Sequence, residues 1–183
     1  MSNLRVIAGK WRSRPIKLPQ DTDVRPTPNR VRETLFNWLQ PYINGANCLD
    51  LYAGSGALGI EALSRGAKHV TFVDINNSNL VSIKNNLKAF GEEHKADFIS
   101  GDALVALKGQ IHHKSDIIFI DPPYFKGLLG GALTGLLSSG IAAENALIYC
   151  EKYNKDDIII GENWQIIKHK KYASVEFYLL KQG

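Results

Sequence analysis

The spacing of apolar residues changes along the chain, and the changes mark out its parts. Leu4 to Ala8 and Trp11 to Leu18 read as two short strands around a Gly9-Lys10 turn. Basic residues are interleaved there with Val6, Ile7, Trp11 and Ile16, so one face can pack while the other stays in water. Pro19 to Asp23 is a loop. Thr27-Pro28 reads as an N-cap followed by proline at the first helical position. Val31, Leu35, Trp38 and Leu39 then recur at helical spacing up to Pro41, which predicts a helix over 28–40.

From Asn47 onward strands and helices alternate. Strands are expected at 48–52, 69–73, 96–100, 116–120 and 146–151, with helices at 57–64, around Leu80 to Phe90, at 103–108 and at 128–140. Such alternation implies a parallel sheet with helices on both faces and right-handed crossovers. Two closing runs, Trp164 to Lys170 and Ser174 to Leu180, have only three residues between them and predict an antiparallel pair at the sheet edge. The expected class is therefore α/β, a mostly parallel seven-stranded sheet with an antiparallel C-terminal edge hairpin and an N-terminal β-hairpin extension. Residues 1–24 form that extension and 25–183 the main domain.

A length of 183 residues, 44% of them hydrophobic and 22% charged, suits one domain with a sizeable core. No apolar run approaches the ~20 residues of a membrane span, so a cytoplasmic protein is expected. Cys48 and Cys150 lie far apart in apolar runs, which predicts buried free thiols rather than zinc ligands. His69, His112, His113 and His169 show no metal-binding spacing. Charge changes the picture more. Residues 1–32 carry eight basic side chains against Asp21 and Asp23, a net of +6; the whole chain is +4, so residues 33–183 come to −2. A basic N-terminus of this kind suits a polyanionic partner.

The candidate chemistry lies after the fourth strand, in Asp121-Pro122-Pro123-Tyr124. Open α/β sheets bind ligands at the carboxyl ends of their strands. Two prolines fix the backbone and donate nothing, so the Asp121 carboxylate and the Pro122 carbonyl are left as acceptors for an amino group with two hydrogens. Tyr124 adds a ring on which a base can stack, worth about 1–3 kcal/mol. Together they read as a clamp for the exocyclic amine of a nucleobase.

Gly54-Ser55-Gly56-Ala57-Leu58-Gly59 follows the first strand and opens a helix, with Asp74 twenty residues after Gly54. These features alone are a dinucleotide fingerprint, and a nicotinamide-dependent oxidoreductase competes on them. Asp50 argues against it, because its carboxylate would repel a pyrophosphate at the helix N-terminus. S-adenosylmethionine, which brings a sulfonium and an ammonium and no phosphate, suits an acidic cleft. Asp74 is then placed for ribose hydroxyls. Asp102 is placed for the adenine amino group or, equally, for capping the next helix.

In this order, Asp50-Leu51-Tyr52-Ala53-Gly54-Ser55-Gly56, Asp74, Gly101-Asp102-Ala103 and Asp121-Pro122-Pro123-Tyr124 resemble the Rossmann-like class I S-adenosylmethionine-dependent methyltransferases that modify exocyclic amines. With Arg5-Val6-Ile7-Ala8-Gly9-Lys10-Trp11-Arg12 and the stretch from Arg25-Pro26-Thr27-Pro28 to Asn37, the chain resembles the bacterial RsmD family over nearly its whole length. The resemblance implies a monomeric enzyme that methylates the 2-amino group of one guanine in 16S ribosomal RNA, within the assembled small subunit. The expected catalytic residues are Asp121, Pro122 and Tyr124. Expected cofactor contacts are Asp50, Tyr52, Ala53, Gly54, Ser55, Gly56, Asp74, Ile75, Asp102 and Ala103. RNA contacts are expected from Arg5, Lys10, Arg12, Arg14, Lys17, Arg25, Arg30 and Arg32. A DNA adenine methyltransferase would use the same clamp, but residues 1–46 are short for a separate domain that reads duplex DNA.

Overall fold

Strands β1 (Asn47–Asp50), β2 (His69–Asp74), β3 (Ala96–Ser100), β4 (Ser115–Ile120), β5 (Ala142–Tyr153), β6 (Trp164–Tyr172) and β7 (Val175–Gln182) form one sheet in the order β3-β2-β1-β4-β5-β7-β6. In this computed structural model, residues 4–19, 26–123, 127–154 and 160–183 are described. The first five strands are parallel, and β7 runs antiparallel between β5 and β6. Strand order reverses between β1 and β4, which opens a crevice at their carboxyl ends.

Helices α1 (Asn29–Leu39), α2 (Ala57–Ser64) and α3 (Asn77–Phe90) cover one face; α4 (Ala103–Leu107) and α5 (Leu128–Ser139) cover the other. The two apolar layers follow from the strand pleat. Phe72, Phe119, Tyr149 and Phe177 point to the first face, and Leu49, Ile118, Ile120 and Ile148 to the second. Ile117 to Ile120 are 0–1% exposed, as a central parallel strand covered on both faces requires.

The expected boundaries hold to within a few residues in most elements, and three differ. β1 ends at Asp50, although Leu51 N–H still reaches the Phe119 carbonyl at 3.0 Å. β5 begins four residues early, because Ala142 pairs with Ser115 across a register shift. A 3-10 turn over Glu93–Lys95 had no signature in the apolar spacing.

The N-terminal segment departs further from expectation. In place of two strands it makes a single antiparallel bridge, Arg5 to Pro15, flanked by three backbone bonds: Val6 N–H to Arg14, Ser13 N–H to Val6 and Ile16 N–H to Leu4. The turn begins at Gly9 and runs on to Arg14, with Arg12 N–H donating to the Gly9 carbonyl at 3.2 Å and Arg14 N–H to the Trp11 carbonyl at 3.0 Å, and the other backbone donors around it go to α2. Ile7 and Ala8 N–H donate to the Glu61 carboxylate at 2.7 and 3.0 Å, Lys10 N–H to the Ser64 carbonyl at 2.7 Å, and Trp11 N–H to Ser64 Oγ at 3.0 Å. A Cβ on Gly9, whose φ is +81°, would lie 2.0 Å from the Ser64 oxygen, so only glycine lets the segment approach this closely. Leu4, Val6, Trp11 and Ile16 are buried in the same layer as α1 to α3, with Trp11 tilted 4.8 Å from Phe90.

Candidate active site

Strand register places three carboxylates on one face of the crevice. Asp50 is level with Phe72 of β2 and Phe119 of β4, and Asp74 and Asp121 each lie two residues further along those strands. With a side-chain period of two, all three project to the face that carries α2. Their fields overlap. The Asp50 pKa is pushed well above the usual carboxylate value, first by burial and then by the charges of Asp121 and Asp74, against a lowering by the Gly59 N–H. A cation entering the crevice would relieve this repulsion, whereas an anion would add to it.

The glycine loop is shaped by the same acids. Gly59 N–H, in the first turn of α2, donates to Asp50 Oδ2 at 3.1 Å. Gly54 N–H donates to Asp74 Oδ2 at 2.7 Å, Gly56 N–H to the Ala53 carbonyl at 2.7 Å, and Ala57 N–H to Ser55 Oγ. The Gly54, Gly56, Ala57 and Gly59 amides are thus already satisfied inside the protein and not free for a pyrophosphate, and α2 presents its positive end to Asp50. Gly56 sits at φ +72°, where a Cβ would lie 2.6 Å from Ile83, so the loop follows the surface of α3 too closely for a side chain.

The other expected cofactor positions line the same edge with unequal access. Ala53, Ser55 and Ala103 are buried and Tyr52 is half-buried, its hydroxyl pKa pushed up to about 12 by burial and the charge of Asp102. Ile75, beside Asp74, is 77% exposed, an apolar surface of the kind a purine covers. Asp74 Oδ1 accepts from Asn76 N–H. Asp102 Oδ1 caps α4, accepting from Leu104 and Val105 N–H at 2.9 and 3.1 Å, which is the second of the two tasks the sequence allows it. A groove of about 640 Å³ between α4 and α5 lies on the opposite face, and none of these carboxylates borders it.

At the tip of β4, Asp121 Oδ2 accepts a hydrogen bond from the Thr27 hydroxyl at 3.0 Å. Here the structure corrects the sequence reading. Thr27 does not cap α1; the N-cap position is Pro28, and the hydroxyl goes 94 positions along the chain to the clamp carboxylate. Burial raises the Asp121 pKa to about 6, with the Thr27 bond opposing the rise. Pro122 is buried and Pro123 exposed; Tyr124 lies outside the described residues. The sequence reading also missed Glu151. It follows Cys150, which pairs with Ile120, so it lies beside Asp121 across the sheet, and at 1% exposure it accepts from the Tyr149 hydroxyl. Glu151 had a weak signal in the sequence, an acid closing an apolar run; Thr27 was hidden by its suitability as a cap.

Arg5, Lys10, Arg12, Arg14, Lys17 and Arg30 are exposed, while Arg25 lies outside the described residues. Lys10 pairs with Glu92, and Arg14 lies 4.3 Å over the Phe90 ring and donates to the Ala89 carbonyl. Arg32 is a correction: it is 0% exposed and cannot meet a polyanion. Its guanidinium donates to the Arg5 carbonyl and Asn29 Oδ1 and lies 3.9 Å from Glu61, so it ties the N-terminal segment to α1 and α2. Glu61 itself was invisible as a partner, although a lone acid in the apolar run of α2 marks it in retrospect.

The sheet order, the reversed β7 and an acidic, phosphate-excluding glycine loop define a Rossmann-like class I methyltransferase. Residues 4–181 match the family model described as Conserved hypothetical protein 95. The chain is 40% identical, over 96% of its length and 92% of the relative's, to ribosomal RNA small subunit methyltransferase D of Haemophilus influenzae. The solved structure of yhhF from Escherichia coli superposes with a TM-score of 0.87 at 37% identity, covering 98% of this chain and 97% of that one. A more distant solved chain, in complex with SAH, has a TM-score of 0.67 at 19% identity, covers 83% of this chain and 48% of its own, and bears on the fold alone. This chain belongs to the ribosomal RNA small subunit methyltransferase D family.

Proposed function

We propose that this protein transfers a methyl group from S-adenosylmethionine to the exocyclic 2-amino group of a guanine in 16S ribosomal RNA. The observation that carries this reading is the half-buried Asp121 carboxylate, held by Thr27 at the carboxyl end of β4 on the same sheet face as Asp50 and Asp74. Family membership supports the coarser statement, an S-adenosylmethionine-dependent ribosomal RNA methyltransferase.

The donor set fits this cofactor. Asp50 would gain from a nearby cation, Asp74 would accept from the ribose hydroxyls, and Ile75 and Tyr52 would offer faces to the adenine. S-adenosylmethionine supplies an electrophilic methyl group on a sulfonium. Asp121 and the Pro122 carbonyl accept the two amine hydrogens and turn the nitrogen lone pair, otherwise conjugated with the purine, toward the methyl position. Orienting two bound reactants in this way contributes on the order of 7–11 kcal/mol. As the N–C bond forms and the S–C bond breaks, the amine proton passes to Asp121 or to solvent, and the carboxylate stabilises the charge meanwhile. Tyr124, three residues after Asp121 in the sequence, would supply the ring for the extruded base, whose unstacking costs a few kcal/mol in a duplex and less in a loop. Exposed cations of the N-terminal segment hold the flanking phosphates.

Incubation with radiolabelled S-adenosylmethionine and either ribosomal RNA or duplex DNA tests the proposal. Label is expected in N2-methylguanosine from 16S RNA, and label in DNA adenine would overturn it. Two further outcomes follow from the geometry. The rate of transfer should have an acidic limb near pH 6, falling as Asp121 takes up a proton and loses its capacity to accept. Because the Thr27 bond lowers that pKa, Thr27→Val should move the limb upward by about one to two pH units, from about 1.5–3 kcal/mol for a hydrogen bond to a charged group. Thr27→Ser should leave it in place. Secondly, Arg12→Ala with Lys17→Ala, two exposed cations, should reduce the slope of log affinity against log salt by about 1.4, near 0.7 for each single-strand phosphate.

A further inference from the structure

We propose that the carboxyl half of β6 is a second RNA-binding surface, with Lys168, Lys170 and Tyr172, joined by Arg30 of α1, gripping the substrate's phosphate backbone beside the target base. This rests on RNA being the substrate. The strand lies in the C-terminal hairpin, at the opposite end of the chain from the basic N-terminal segment.

Topology supplies the first support. β6 pairs antiparallel with β7, and β7 antiparallel with β5, so β6 runs parallel to β4 and its carboxyl end emerges at the same edge of the sheet as Asp121. Register makes this specific. Ile120 pairs with Cys150, Cys150 with Tyr178, and Tyr178 with His169, so Lys170 lies in the row of Asp121, three strands away. At about 4.8 Å per strand the separation is roughly 14 Å. That spans about four stacked nucleotides at roughly 3.4 Å each.

Orientation supplies the second. Lys168 is opposite Leu179 and Lys170 opposite Phe177, both in the apolar layer under α1, so these lysines share the α1 face of the sheet. On the same face the Arg30 guanidinium lies 5.5 Å over the Tyr172 ring, linking the start of α1 to the end of β6. His169 and Lys171 point the other way, His169 stacked on Tyr178 and Lys171 3.5 Å from Glu176. The lysines of the α1 face therefore extend toward Arg30, a few residues from the Thr27 that holds Asp121.

Lysines on an edge strand also discourage pairing with other chains. Their distribution here does not suit that task. The aggregation-prone part of β6 is its amino half, where Ile166 and Ile167 are 50% and 37% exposed. The cations instead collect in the half beside the crevice, and β6 contains no acid.

The test is Lys168→Ala with Lys170→Ala, measured for RNA affinity across a salt series, for SAH binding by calorimetry and for methyl-transfer kinetics. The salt slope should fall by about 1.4. KM for RNA should rise roughly tenfold with kcat nearly unchanged, as loss of uniform binding requires. SAH affinity and melting temperature should stay at wild-type values. A slope and KM equal to wild type would overturn the proposal and leave the lysines as edge protection. RNA binding is read separately from product identity. Methylation of a base other than guanine would therefore count against the proposed reaction, whereas the salt slope alone decides whether β6 grips RNA.

Discussion

Replacing Asp121 by asparagine is expected to lower kcat by about 10²–10³-fold, the range seen when one preorganised group that stabilises transition-state charge is removed. The side chain keeps its size and can still accept from the Thr27 hydroxyl, but it has no charge to offset the positive charge that develops on the amine nitrogen. SAH affinity should remain within a few-fold of wild type. Removing one of the two charges that raise the Asp50 pKa should bring that pKa down. The acidic limb near pH 6 should vanish with the carboxylate that causes it. Single-turnover methyl transfer across pH, together with calorimetry of SAH, makes the test. A variant that turns over near the wild-type rate would sink the amine clamp and the proposed chemistry with it.

Glu61→Ala should cause the largest loss of stability, about 3–5 kcal/mol, because it breaks a buried ion pair from one side. Glu61 is 0% exposed and accepts from Ile7 N–H, Ala8 N–H and Arg65 Nε, with Arg32 at 3.9 Å. Burial already draws the Arg32 pKa below its ordinary value, and Glu61 is the first charge opposing that shift. Without it the buried Arg32 guanidinium loses its counter-charge, and Arg65 Nε and two backbone donors lose their acceptor. Thermal unfolding should shift by roughly 2–4 °C for each kcal/mol in a chain of this size. Proteolysis should select the stretch around Ile7 and Ala8, which the missing carboxylate held to α2. Arg32→Met with Glu61→Leu should recover only part of the loss, since an apolar pair avoids desolvating two charges but leaves the Ile7 and Ala8 N–H groups without their acceptor. A single variant as stable as wild type would mean that the segment is held by Leu4, Val6, Trp11 and Ile16 alone.

Much of the sheet could be read from the chain because its signals are local. Ile117 to Ile120 announce a strand buried on both faces, and β-α alternation with right-handed crossovers leaves few topologies open. The pairing of the last two strands followed from the brevity of their connection. The N-terminal hairpin pairs over a shorter stretch than its alternation suggests, because that alternation also records a face packed on a neighbour: the donors of Ile7, Ala8, Lys10 and Trp11 go to α2. Arg32 was misread because a basic side chain in a basic run is ordinarily solvated, and only a buried acid on another helix can draw one inward.

The amino-acid sequence by itself determined the class of sheet, the acids at the ends of its strands and the Asp-Pro-Pro-Tyr motif, all properties of spacing within a few residues. Tertiary structure decided what each polar group faces: Thr27 meets Asp121, the Asp50 carboxylate accepts from Gly59 N–H, and Lys170 comes level with Asp121. The two hydrogen bonds among these join positions 94 and 9 residues apart. Hydrogen bonds and ion pairs act over a few ångströms of space without regard to separation along the chain, so no local pattern encodes them.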